Sequence, residues 1–154
     1  MDARCRVGHI TRNIRIFPSS TPLYGFTLIF YGNDQSTPHM IGNGTLAGVQ
    51  LYSGGQIDST TPPLRIFNIP SNTTSTPLIT LSDNSFVNCQ ARCVEIVKSS
   101  SVSMTNNVFY NVYVIGIQVS QVNEVSIDDN LMIGVSDRPS VMIGSELVAC
   151  FYVM

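Results

Sequence analysis

Tryptophan is absent from this 154-residue sequence, histidine occurs only twice, and charged residues make up 12% of it. Globular domains usually carry about 25% charged residues, so this chain has about half the ordinary share. Its eight Lys and Arg form no basic run and are outnumbered by ten Asp and Glu. A protein that grips a phosphate backbone concentrates positive charge on one surface, so no nucleic-acid partner is expected. Nor does any apolar run approach the roughly 18 residues that cross a bilayer as a helix, and no membrane span is expected in this segment. The opening Met1-Asp2-Ala3-Arg4-Cys5-Arg6 lacks the apolar stretch of a secretory signal. Cysteine is sparse too: Cys5, Cys89, Cys93 and Cys150 are too few for a disulfide scaffold. The three residues between Cys89 and Cys93 do not match a zinc ribbon, and His9 and His39 add little, so no metal or other cofactor is expected.

What is present is Ser, Thr, Asn, Val and Ile, punctuated by 11 Gly and 8 Pro. These residues favour strands and turns over helix interiors. Three segments align without a gap: ITLSDNSFVN from Ile79, VSMTNNVFYN from Val102 and VSIDDNLMIG from Val125. The repeat places Ile79, Val102 and Val125 in one column, and Leu81, Met104 and Ile127 in another. Asn84, Asn107 and Asn130 form a third, and Phe86, Phe109 and Met132 a fourth. Val94 falls with Ile117, and Ile96 with Val119. Apolar residues alternate within each short run, the period of a half-buried strand. A unit this short cannot bury its own apolar face, whereas stacked units share a continuous core. The expected fold is therefore all-β, a right-handed parallel β-helix (solenoid) with coils of about 23 residues. At each coil's corner the Asn column is expected to adopt the left-handed backbone and to bond one rung away.

The N-terminal half is less regular. Strands are expected within His9 to Phe17 and Tyr24 to Gly32, and two further rungs at Gly44 to Gln56 and Leu64 to Ile69. Between them run Pro18 to Pro22, Ser36-Thr37-Pro38, Asp58 to Pro63 and Ser71 to Pro77. These Ser/Thr/Pro-rich stretches interrupt a sheet and should protrude as loops. Residues 1–154 thus form a single β-helix segment. The apolar run SELVACFYVM at its end lacks a polar cap, so a fragment of a larger chain is expected.

VGHITRNIRIF (Val7 to Phe17) resembles the EVG-LTRNI-I strand that follows the glycine-rich domain in the fibrocystin family. That family also includes the cell-migration-inducing and transmembrane hyaluronidases. LAGVQLYSGGQ is similar to the family's V-h-GQ strand. SFVNCQARCVEI, NNVFYNVYVIGIQV and VSIDDNLMIGV are similar to its β-helix repeats, in the same order. The resemblance spans nearly the whole chain and implies an extracellular or cell-surface glycoprotein. Where the hyaluronan-cleaving relatives carry paired histidines, this chain has Pro62-Pro63-Leu64-Arg65-Ile66-Phe67-Asn68. The chain is thus similar to the fibrocystin branch, and no enzyme activity is expected.

The remaining groups offer few candidates for catalysis. Asp83 and Asp129 share a column with Asn106, two rungs apart, which about 4.8 Å per rung puts near the carboxyl separation glycosidases use. A turn Asp bonding its own backbone is the favoured reading of each. Asp128 beside Asp129 lacks the further oxygen ligands of a calcium site, and neither His9 nor His39 has a motif partner. Gly42-Asn43-Gly44 and Gly54-Gly55 are expected to be turns. Asn43-Gly44-Thr45 and Asn72-Thr73-Thr74 both satisfy the N-glycosylation pattern in expected loops, and the Ser/Thr/Pro stretches are candidates for O-linked sugar. Cys89 and Cys93 flank one bend, either as a local disulfide or as two small core residues. Cys5 and Cys150 lie several rungs apart and are not expected to pair.

These observations lead to a non-enzymatic, glycosylated extracellular module, a rigid rod with a structural or adhesive role. Its expected partners are glycans, adjacent modules of the same larger protein, or identical chains joined end to end as a filament. A polysaccharide-depolymerising enzyme and a ligand-binding receptor ectodomain are the alternatives.

Overall fold

A computed structural model describes residues 13–19, 25–32, 43–56, 61–71, 76–135 and 141–143. Two short strands come first, β1 (Ile14–Ile16) and β2 (Leu28–Tyr31). Triplets follow. The first is β3 (Gly44–Ala47), β4 (Val49–Tyr52) and β5 (Leu64–Phe67). The second is β6 (Ile79–Ser82), β7 (Ser85–Val87) and β8 (Val94–Val97). The third is β9 (Val102–Thr105), β10 (Val108–Val112) and β11 (Ile117–Ser120). The last is β12 (Val125–Asp128), β13 (Leu131–Val135) and β14 (Val141–Ile143). Among the described residues there is no helix.

Every pairing is parallel, and the strands stack into three sheets. The first sheet runs β1-β4-β7-β10-β13, the second β2-β5-β8-β11-β14, and the third β3-β6-β9-β12. The result is a solenoid-like stack. Ile79 pairs with Val102 and Val102 with Val125, as the repeat requires. Leu81, Met104 and Ile127 stay in register, as do Phe86, Phe109 and Met132. Wider steps, such as Gly44 to Ile79 and Leu64 to Val94, accommodate Ser71 to Pro77. One expectation is corrected here. Gly44 to Gln56 is not one rung but two strands, because Gly48 (φ 66°) turns the chain from the third sheet into the first. With β5 they make the three sides of one turn of the stack.

Left-handed residues mark the corners of the stack, most of them directly after a strand, with Asn111 and Gly134 inside β10 and β13. At one corner these are Gly48, Asp83, Asn106 and Asp129, and at the next Ser53, Asn88, Asn111 and Gly134. At the third they are Asn68, Lys98 and Gln121. The expected left-handed column of Asn84, Asn107 and Asn130 is therefore displaced by one residue. The preceding residue turns the chain with its side chain exposed, which leaves the asparagine pointing inward. Asn84 and Asn107 are fully buried.

Inside, the stacked columns form one apolar cluster. Phe86 lies on Phe109 with centroids 4.7 Å apart and planes 5° from parallel. Leu51 and Met132 continue that column on either side. Leu81 with Met104 lines the third sheet; Leu64, Ile66, Val94, Ile96, Ile117 and Val119 line the second. Each large side chain buried this way contributes about 1.5–3 kcal/mol.

The amides run through this core as a ladder. Asn84 Nδ2 donates to Asn107 Oδ1 at 3.0 Å, and Asn107 Nδ2 donates to Asn130 Oδ1 at 2.9 Å. The same oxygens accept the backbone N–H of Asn84 and of Asn107. Each Nδ2 also donates to a carbonyl one rung back, Leu46 for Asn84, Leu81 for Asn107 and Met104 for Asn130. Val49, which takes the column's place in the preceding turn, donates its N–H to Asn84 Oδ1.

Asn107→Ala removes the acceptor of two buried donors on Asn84. Since each buried group left unpaired costs about 1–3 kcal/mol, urea unfolding should show a loss of about 2–4 kcal/mol. At the neighbouring corner, Asn106→Gly should be neutral, whereas Asn106→Val should cost about 1–2 kcal/mol by forcing a β-branched residue to positive φ.

Candidate functional site

Between β7 and β8 the chain must turn within a few residues. Asn88 takes the left-handed corner, and Cys89 and Cys93 are joined by a disulfide with Cα atoms 5.4 Å apart. Both are at most 1% exposed. The two readings of this pair merge, since the cystine is itself part of the core. One turn further on, Val112 stands where Cys89 stands and is equally buried. Asn111 Nδ2 donates to Asn88 Oδ1, so a second, shorter amide ladder marks this corner.

Beside this bend lies a charged network that residue spacing did not reveal. Arg65 and Glu95 face each other across β5 and β8. Arg65 Nε meets Glu95 Oε2 at 2.7 Å, and Arg92 Nη1 meets Glu95 Oε1 at 2.6 Å. Glu95 is 7% exposed, a depth at which a carboxylate persists only when paired. A signal existed in the sequence: Arg65 and Glu95 both alternate with core residues, so they share an outer face. Their pairing needed the register between β5 and β8, which the irregular spacing there hid. Buried serines were missed for the same reason. Ser99 Oγ accepts the N–H of Ile69 and donates to Val97 O, while Ser101 Oγ accepts from Leu78 N. They fasten one turn to the previous one.

Aromatic groups gather on the outer faces. Tyr31 stacks on Phe67 with centroids 5.9 Å apart, and the Arg65 guanidinium lies 5.3 Å from the Phe67 centroid. On the first sheet, Arg15 lies over Tyr52 at 4.1 Å. The third sheet instead shows small hydroxyls: Thr45, Thr80, Ser103 and Ser126 form one outward row. At its end Ser126 Oγ donates to the Asp128 carboxylate.

Asn43 is exposed immediately before β3, and Thr45 of the same acceptor pattern is exposed within it. Asn72, Cys5, Cys150, His9 and His39 lie outside the described residues, as does most of the Ser/Thr/Pro sequence. Asp83 and Asp129 occupy equivalent corner positions on either side of Asn106, each in the left-handed conformation. Among the described residues, no three His, Cys, Asp or Glu side chains converge as a metal site would require. No helix there is long and apolar enough to cross a membrane.

Neither a family model nor any curated protein or solved structure matches the chain.

The disulfide closes a short loop, and chain entropy assigns about 2 kcal/mol to such a link. Urea unfolding with and without reductant should show a loss of that size. A Cys89→Ala, Cys93→Ala double variant should unfold at the same urea concentration whether or not reductant is present.

Proposed function

We propose that this chain is a segment of a right-handed parallel β-helix with coils of about 23 residues, belonging to a fibrocystin-like extracellular protein. Its role is structural or adhesive, and not catalytic. The observation that carries this reading is the buried amide ladder. Asn84, Asn107 and Asn130 direct their side chains to neighbouring rungs, so their polar chemistry serves the stack. Parallel strands with their backbone groups paired from rung to rung make a stiff element. Stiffness with laterally displayed side chains suits a spacer or adhesive surface, joined to adjacent modules or to identical chains as a filament.

Two features favour an oxidising, secretory setting. The Cys89–Cys93 disulfide belongs to such compartments. Asn43 sits exposed in an acceptor pattern, as an N-linked sugar requires. The paired histidines of hyaluronan-cleaving relatives have no counterpart at Pro62 to Asn68. Within that stretch, Leu64 and Ile66 are given to the core and Arg65 to an ion pair.

Glycopeptide mass spectrometry on natively produced protein should find sugar on Asn43 or Asn72, and Asn43→Gln should remove the Asn43 signal alone. Bare peptides covering both sites would contradict the secretory reading. Incubation with acidic polysaccharides should release no reducing ends. Turnover that Asp83→Asn or Asp129→Asn abolishes would replace the structural role with an enzymatic one.

A further inference from the structure

Arg65 is held in an unusual way for a surface arginine. Its Nε meets Glu95 at 2.7 Å, and its side chain is nonetheless 44% exposed. A guanidinium anchored through one edge presents the other as a ready fork of donors, the geometry that takes a carboxylate or sulfate through two parallel hydrogen bonds. Next to it stand the Phe67 ring and, stacked on that, Tyr31 at 64% exposure. Ile29, paired with Arg65 along the same row, is 61% exposed. Two guanidinium groups, Arg65 and Arg92, meet the one carboxylate of Glu95, in a chain whose net charge is −2.

We infer that this outer face of the second sheet binds an acidic saccharide, a sugar ring bearing a carboxylate or sulfate. The inference rests on the non-catalytic, extracellular reading above and adds to it a ligand class and a place. A simple anion accounts for the exposed guanidinium of Arg65 but not for the adjoining aromatic rings. An apolar peptide accounts for the rings and leaves the fork without an acceptor. A charged sugar uses both, because its apolar C–H face packs on Tyr31 while its acidic group meets Nη1 and Nη2. Glu95 and Arg92 position the guanidinium.

The test is a calorimetric titration of the whole chain with three probes. These are a galacturonic acid hexasaccharide, its methyl-esterified counterpart lacking the charge, and a sulfated oligosaccharide. At least one of the two acidic probes binds, more weakly as salt is raised, and the ester does not. Arg65→Ala weakens binding about 10-fold or more, and Arg65→Lys weakens it by less, since an ammonium keeps the charge and loses the fork. Tyr31→Ala weakens it about 5-fold or more, as loss of a stacking ring should. Unchanged thermal melts separate these effects from unfolding. Failure of both acidic probes to bind, equal binding of the ester, or indifference to Arg65→Lys and Tyr31→Ala overturns the inference. So does self-association that Tyr31→Ala abolishes, which would assign the face to a second copy of the chain. Saccharide length is read in the same samples: shortening overturns the non-catalytic reading, whereas absent binding with intact saccharide overturns this inference alone.

Discussion

A side-chain amide can sit inside an apolar stack only when its hydrogen-bonding positions are used. Asn107 meets that demand fully. Its two N–H groups reach Leu81 O and Asn130 Oδ1, and its oxygen accepts the backbone and side-chain N–H of Asn84. Each bond spans rungs, so a slip in register would strand several buried donors together. The apolar columns alone do not impose this, because Ile, Val, Leu and Met exchange places at modest cost. The ladder thus ties the Phe86–Phe109 stack, the left-handed corners beside it and the outward rows to one register.

That register determines what each side displays. The third sheet shows a row of small hydroxyls, the first shows Arg15 against Tyr52, and the second shows Arg65, Glu95, Tyr31 and Phe67. Among the described residues, the second combines a guanidinium paired to a carboxylate with exposed rings. The cystine at the β7–β8 bend lies under the core end of β8, the strand that supplies Glu95. Core and outer face are therefore mechanically linked: the strand that buries Val94 and Ile96 also holds the carboxylate that orients Arg65.

Much of this was legible wherever the repeat is strict. Equal spacing from Ile79 to Met132 placed every paired column correctly, because each position answers to the same packing neighbours. The left-handed corners were read one residue late. Asp83-Asn84, Asn106-Asn107 and Asp129-Asn130 are doublets in which either member tolerates positive φ, and burial of the second, which the sequence does not state, decides between them. Gly44 to Gln56 was compressed into one rung because Gly48 replaces the acidic or amide corner residue found later. The Arg65–Glu95–Arg92 network was invisible for a different reason. It joins β5 to β8 across a step lengthened by Ser71 to Pro77, so no fixed period connects its members.

The buried amides act as a coupled ladder and not as separate turn residues. A double-mutant cycle on Asn84 and Asn107, read by urea unfolding of both single alanine variants and the double, tests it directly. Coupling between hydrogen-bonded neighbours should make the double variant less destabilised than the sum of the two singles by about 1–3 kcal/mol. Losses that add within about 0.5 kcal/mol would mean that each amide acts alone, and the ladder would not be what sets the register.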